Sequence, residues 1–253
     1  MGDERGVALV ITLMAMLLLS AVGAALVLAT SADALISANT GASNQAFYAA
    51  DAAFERTLAE LRSQPGFTPV LNGSVTSAFV DGAASGQRTL ADGSRLRLAE
   101  VVNRANCQKP AGCSDADMNA AIRDRPWGVR NPRWRLFSYG PLNGSLGPAG
   151  SLGPAQTTPV YVVSMVADDL SETDGDPWQD GVQTGAQVNP GAGMLLVRAE
   201  AFGPRGAHRI VEGAVVRRDL AARARWDGSD PAIRGPAPAG FPLLHVLAWR
   251  EVR

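Results

Sequence analysis

Histidine and cysteine are scarce in this chain, with two of each in 253 residues. That scarcity narrows the chemistry available. His208 and His245 fall in predicted strands, where a histidine is read as a strand-face residue before it is read as a base. No serine sits in Gly-x-Ser-x-Gly, and no phosphate-binding glycine loop follows a strand. No catalytic residue and no cofactor are therefore expected. An excess of one charge is missing as well: the net charge is -1 and 19% of residues are charged, so nothing draws the chain globally toward nucleic acid or anionic lipid.

Two further absences define the first quarter of the sequence. No ionisable residue occurs from Val7 to Ala32, and no proline from Val7 to Gln64. An uncharged run of about 26 residues would be roughly 39 Å long as a helix, which exceeds the ~30 Å hydrocarbon core of a bilayer. A secretory signal has a shorter apolar region and a small-x-small cleavage site beyond it. Here the break in character precedes the apolar run, at Arg5-Gly6-Val7. Cleavage there would remove a short charged leader and leave the helix on the mature protein, with Gly6 presenting no side-chain bulk at the scissile bond. From Ile36 the apolar residues thin to a stripe at Phe47, Phe54, Leu58 and Leu61, while Asp51, Glu55, Arg56 and Glu60 occupy other faces. Pro65-Gly66 supplies a stop. The whole predicts a helix over 7–64, its membrane part about 7–32. A plain single-pass anchor followed by a juxtamembrane helix is the less specific reading of the same pattern.

Residues 67–253 are long enough to bury a core. Gly 27 and Pro 16 point to many turns, and the apolar runs become short and alternating. A hairpin is expected over Gln87 to Val102, turning at Asp92-Gly93. Tyr161 to Ala167 reads as a strand. Met194 to Phe202 and His208 to Val216 form a hairpin around Gly203-Pro204-Arg205-Gly206, and Leu243 to Val252 reads as a final strand. The class is α+β, a long helix leading into a β-rich head. A tandem Gly-Ser-Leu-Gly-Pro-Ala from Gly144 to Ala155 is a loop, since two copies do not make a solenoid.

The charged leader ending at Gly6 before an apolar helix resembles the type III signal of prepilins. Ala-Phe-Tyr-Ala-Ala-Asp-Ala-Ala-Phe-Glu, residues 46 to 55, and the late hairpin Leu195 to Glu212 resemble the PilX branch of minor pilins. The resemblance implies a pilin-like fold, a leader at 1–6 removed by a prepilin peptidase, and methylation of Val7. It also implies an inner-membrane precursor with its N-terminus in the cytoplasm, and then a place in a pilus beside other pilins and the assembly machinery. One departure is informative. Major pilins carry glutamate at the fifth mature position; counted from Val7, that position is Ile11. PilX-like minor pilins and the K-type tip pseudopilin of type II secretion share this absence, so the latter is the alternative, with a membrane-anchored periplasmic enzyme a distant third. Asp3 and Glu4 also oppose Arg5 in a leader that is usually basic. Ile11, Phe47, Phe54 and Leu58 are the expected interface residues.

Exported topology makes a disulfide between Cys107 and Cys113 the natural reading, with two free thiols as the alternative; zinc lacks a nearby His or Cys to complete four ligands. Asp168, Asp169, Glu172, Asp174, Asp176 and Asp180 crowd one loop, which suits either calcium or a solvated acidic surface. Trp127, Arg130, Arg133, Trp134, Arg135, Phe137 and Tyr139 interleave aromatic and basic groups as single-stranded nucleic-acid surfaces do. Arginines lying over aromatic faces of a strand are the favoured reading.

Overall fold

The computed structural model describes residues 4–120, 133–143, 157–169, 171–172, 175–181, 191–218 and 243–252. Trp127, Arg130, Asp174 and the tandem repeat lie outside them. The chain divides into two compact units, Met1–Ala42 and Ser43–Arg253.

The first helix, α1, runs Glu4–Leu61 without a break, 58 residues, so residues 4–6 of the expected leader have helical backbone. Alanine-rich sequence and the missing proline account for its continuity. It ends three residues earlier than the sequence predicts, in a turn closed by Ser63 N–H to Glu60 O and Gln64 N–H to Leu61 O before Pro65.

In the second unit, a short helix α2 (Thr68–Leu71) precedes a small hairpin of β1 (Gln87–Thr89) and β2 (Arg95–Arg97). Asp92 and Gly93 form its turn, Gly93 with φ +82 and Asp92 accepting the Ser94 amide at 2.9 Å. The expected strand does not continue to Val102. Helix α3 (Leu98–Cys107) starts directly after β2, because Leu98, Val101, Val102 and Ala105 repeat at helical rather than alternating spacing and bury one face. It ends at Gln108 in the left-handed region, whose N–H bonds Arg104 O. A short α4 (Asp115–Ala120) follows.

The main sheet is an antiparallel meander in sequence order: β3 (Arg135–Asn143), β4 (Thr157–Asp168), β5 (Met194–Phe202), β6 (His208–Arg218) and β7 (Leu243–Val252). The β5–β6 hairpin and β7 keep the predicted positions, and the Tyr161 to Ala167 strand is extended at both ends. One face of the sheet buries Val162, Val166, Leu195, Val197, Ala199, Ala201, Val211 and Val215 against the end of α1. On the other face Tyr161, Val163 and Met165 pack with Leu96, Leu98 and Val101. Period-two alternation along each strand produces both layers from one sequence.

The α1 surface facing the sheet is Ala46, Ala49, Ala50, Ala53, Phe54, Leu58 and Leu61. Four alanines lie along it, so the helix backbone comes close to the strands. Gly213 on β6 marks the tightest point: a Cβ there would lie 2.6 Å from Phe54 Cζ and 2.7 Å from the Ala248 carbonyl oxygen.

Candidate functional site

From Val7 to Ile36 the helix is bare among the described residues. Its large apolar side chains from Val7 to Ile36 are exposed, up to 73% for Leu19. An 18-residue window within α1 has mean hydropathy 2.5 and no buried residue, so by length and composition the helix can cross a membrane. An uncovered apolar surface of this extent needs lipid or other helices. Its few hydroxyls fit such a medium: Thr12 donates to Leu9 O at 2.8 Å, Ser20 to Met16 O at 2.8 Å and Ser31 to Val27 O at 2.7 Å. Each therefore carries its own acceptor and leaves no donor stranded in hydrocarbon. Gly6 and Val7 lie in the first turns of α1. Ile11 is among the exposed apolar residues and brings no charge.

The expected stripe on the rest of α1 splits. Phe54 and Leu58 are each 1% exposed and belong to the core beneath the sheet. Phe47 is half-buried; its ring meets Trp249 of β7 edge-on, centroids 6.1 Å apart, and Tyr48 at 5.5 Å. Counting large side chains missed the alanines, which carry most of the docking surface.

Cys107, at the end of α3, is joined to Cys113 with 5.9 Å between Cα atoms. Nearby, Lys109 holds Asp117, and that contact with the Ser114 hydroxyl and amide lowers the Asp117 carboxyl to about 2.

Within the acidic loop Glu172 and Asp180 meet through a side-chain hydrogen bond. Glu172 Oε2 accepts the Gly181 amide at 2.8 Å, Asp180 Oδ1 the Gly193 amide at 2.7 Å, and Asp176 Oδ1 the Trp178 amide at 3.0 Å. Among the described residues no group of three or more His, Cys, Asp or Glu is placed to hold a metal ion. Burial pushes Asp180 above the usual carboxylate range, against the Gly193 and Phe67 amides that favour its charge.

The aromatic and basic residues around β3 are engaged inside the head. Arg133 Nη2 donates to Asn119 at 3.1 Å. Trp134 and Asn106 exchange two hydrogen bonds, at 2.7 and 3.0 Å. Arg135 lies 5.3 Å over the Trp178 ring, Phe137 is in the core, and Arg88 lies 5.9 Å over Tyr139. Burial and the Asp81 carboxylate push the neighbouring Tyr161 up to about 12.

Sequence reasoning overlooked a charged row across three strands. Arg198 on β5 pairs with Glu200 at 2.7 Å and with Glu212 on β6; Glu212 also takes Arg250 of β7 at 2.6 Å. His208 Nε2 lies 2.8 Å from Glu200, its ring stacked on Phe202 at 4.4 Å. Burial alone would raise the Glu200 carboxyl, but the His208 hydrogen bond and the Arg198 charge outweigh it and hold it below the ordinary value. Register explains the row, since Arg198, Glu212 and Arg250 are direct cross-strand neighbours. A cavity of about 430 Å³ opens over it, walled by Trp134 and Ala105. The signal was present in the alternation Arg198, Glu200 and Glu212, which is legible once the strands are paired.

A bare apolar helix leading into an α+β head built on a helix-backed antiparallel sheet is consistent with a pilin-like fold. Residues 5–55 match the PilX N-terminal family, and this stretch is a PilX-like type IV pilin N-terminal region. Neither the curated proteins nor the solved structures contain a match to the chain.

Proposed function

We propose that this chain is a minor pilin of a type IV pilus, with a structural and interactive role and no enzymatic step. The observation that carries the reading is the uncovered, uncharged surface from Val7 to Ala32 within a PilX-like N-terminal region. In this reading the precursor sits in the inner membrane with its head in the periplasm. It is cut after Gly6, methylated at Val7 and packed through α1 among other pilins. The head then carries a Cys107 to Cys113 disulfide in an oxidising compartment.

Ile11 assigns the subunit a special place. By the family resemblance, a glutamate at that position pairs with the N-terminal amine of a neighbouring pilin, offsetting the cost of charge in an apolar bundle; Ile11 cannot make that pair, which suits a position where no such amine is available. Priming or tip function, in few copies, follows. The same residue suits the K-type tip pseudopilin of a type II secretion system, which is the second reading.

Intact-mass analysis of the chain from cells with and without prepilin peptidase tests the proposal. A mature chain beginning at methylated Val7 and recovered in sheared filaments is expected; identical masses in both cells would defeat it. Quantitative mass spectrometry of the filaments separates tip from shaft, since abundance equal to the major pilin would remove the priming role.

A further inference from the structure

The two edges of the main sheet are finished differently. The outer edge of β3 is covered by Ser77 to Asp81, with Ser77 N–H to Phe137 O at 3.1 Å, Tyr139 N–H to Phe79 O at 3.0 Å and Asp81 N–H to Tyr139 O at 2.9 Å. The outer edge of β7, ten residues long, has no such partner among the described residues. Open edges of soluble heads are commonly guarded by lysine, proline, inward charges or a bulge. β7 contains no lysine or proline and one bulge, at Leu247; Arg250, still 63% exposed, leans to Glu212, and Glu251 to Arg209 at 3.0 Å. The rest of the exposed edge is largely apolar, Val246 44%, Leu247 49% and Trp249 46% exposed, and Phe47 joins it to Tyr48, 68% exposed.

We infer that the free edge of β7 accepts an extended strand from the head of a neighbouring pilin in the same assembly. This rests on the reading that α1 packs among pilins. Chemistry selects the shape of the occupant: a row of backbone N–H and C=O groups is matched by an extended strand, and the exposed Val246, Leu247 and Trp249 by apolar side chains on it. Area selects its source. Trp249 and Tyr48 each leave on the order of 100 Å² open, and the whole patch reaches only a few hundred Å², below the roughly 800 Å² per partner of a stable free-standing complex. An edge this small is filled by a strand already held nearby, where tethering through the helices raises the local concentration to about the millimolar range.

The test uses the full chain in its native membrane, with a photo-cross-linking residue at Leu19 on the bare helix or at His245 on β7. Cross-links from both positions to a pilin subunit, with a Leu247→Lys substitution reducing the His245 product at least fivefold while the Leu19 product and the melting temperature hold, is the expected result. Cross-links from Leu19 alone would overturn the edge inference and leave the pilin reading intact. A His245 product within the same chain, to residues 219–242, would show the edge covered from inside and overturn it equally. No pilin product from either position would remove the proposed function and this inference with it.

Discussion

The two halves of α1 obey one backbone geometry and opposite surface rules. From Val7 to Ile36 leucine, valine, isoleucine and methionine face outward all round, and bulk is wanted because lipid or other helices must fill the space. From Ala46 to Leu61 one face is buried, and on it four alanines let the sheet come close while Phe54, Leu58 and Leu61 fill the space between. Hydrophobicity alone does not distinguish them. Arrangement does: apolar residues on every face belong to a surface whose partner is supplied later, a single apolar stripe to one whose partner is folded in the same chain.

Phe54→Ala should break the packed half most severely, destabilising the head by about 4 kcal/mol through loss of a buried ring and the cavity it leaves. Membrane retention should be unchanged. The melting temperature of the detergent-solubilised full chain and its resistance to carbonate extraction separate the two; an unaltered melt would show that Phe54 does not hold the head. Leu19→Arg is the converse, costing about 3 kcal/mol of insertion near the middle of the apolar run. Its head should melt as the wild type does, and undiminished membrane insertion would contradict the spanning role of this segment.

Gly213→Ala tests the close approach itself. The added methyl meets a carbonyl oxygen of β7 as well as the Phe54 ring, so neither neighbour can rotate away, and a loss of about 2 kcal/mol is expected from overpacking. Chemical denaturation of the full chain should show a lower midpoint. If the midpoint does not move, the separation between α1 and the sheet is wider than drawn.

The smallest effects are electrostatic. Glu200 has its carboxyl held below the ordinary value by His208 and Arg198 against burial, so its contribution is present above the unfolded pKa and is lost as pH falls through the lower folded one. Glu200→Gln should therefore flatten the acid limb of the stability profile. Asp180 has the opposite sign. Burial raises it, so its contribution is largest below the unfolded value and is lost as pH rises through the raised folded one. Asp180→Asn should leave neutral-pH stability equal or slightly higher, and a melt series from pH 3 to 7 on both variants reads the two slopes.

The bare half of α1 was legible in the sequence because membrane spans are written in composition: an uncharged run and a missing proline suffice. Strands β5, β6 and β7 were legible because alternation is local. Helix α3 was not, since Leu96 and Leu98 continue the strand alternation and only Val101, Val102 and Ala105, three, four and seven residues after Leu98, carry the helical period. The row Arg198, Glu212 and Arg250 was hidden for a different reason. Its members are 14 and 38 residues apart, and only the strand register makes them neighbours. The acidic run 168–180 was legible only as a cluster: that Glu172 and Asp180 meet, and that they accept the Gly181 and Gly193 amides, depends on how the loop folds back on itself.

Alanine has no side-chain rotamers to lose, so seating Ala46, Ala49, Ala50 and Ala53 on the sheet freezes almost no side-chain motion. The alanine part of the join consequently has few soft degrees of freedom, and what can swing is confined to Phe54, Leu58 and Leu61. A pull applied along this part of the helix is met by backbone sliding against backbone, with the Phe54 ring against Gly213 acting as the stop. Such a seat behaves mechanically as a keyed shaft, stiff until the key shears.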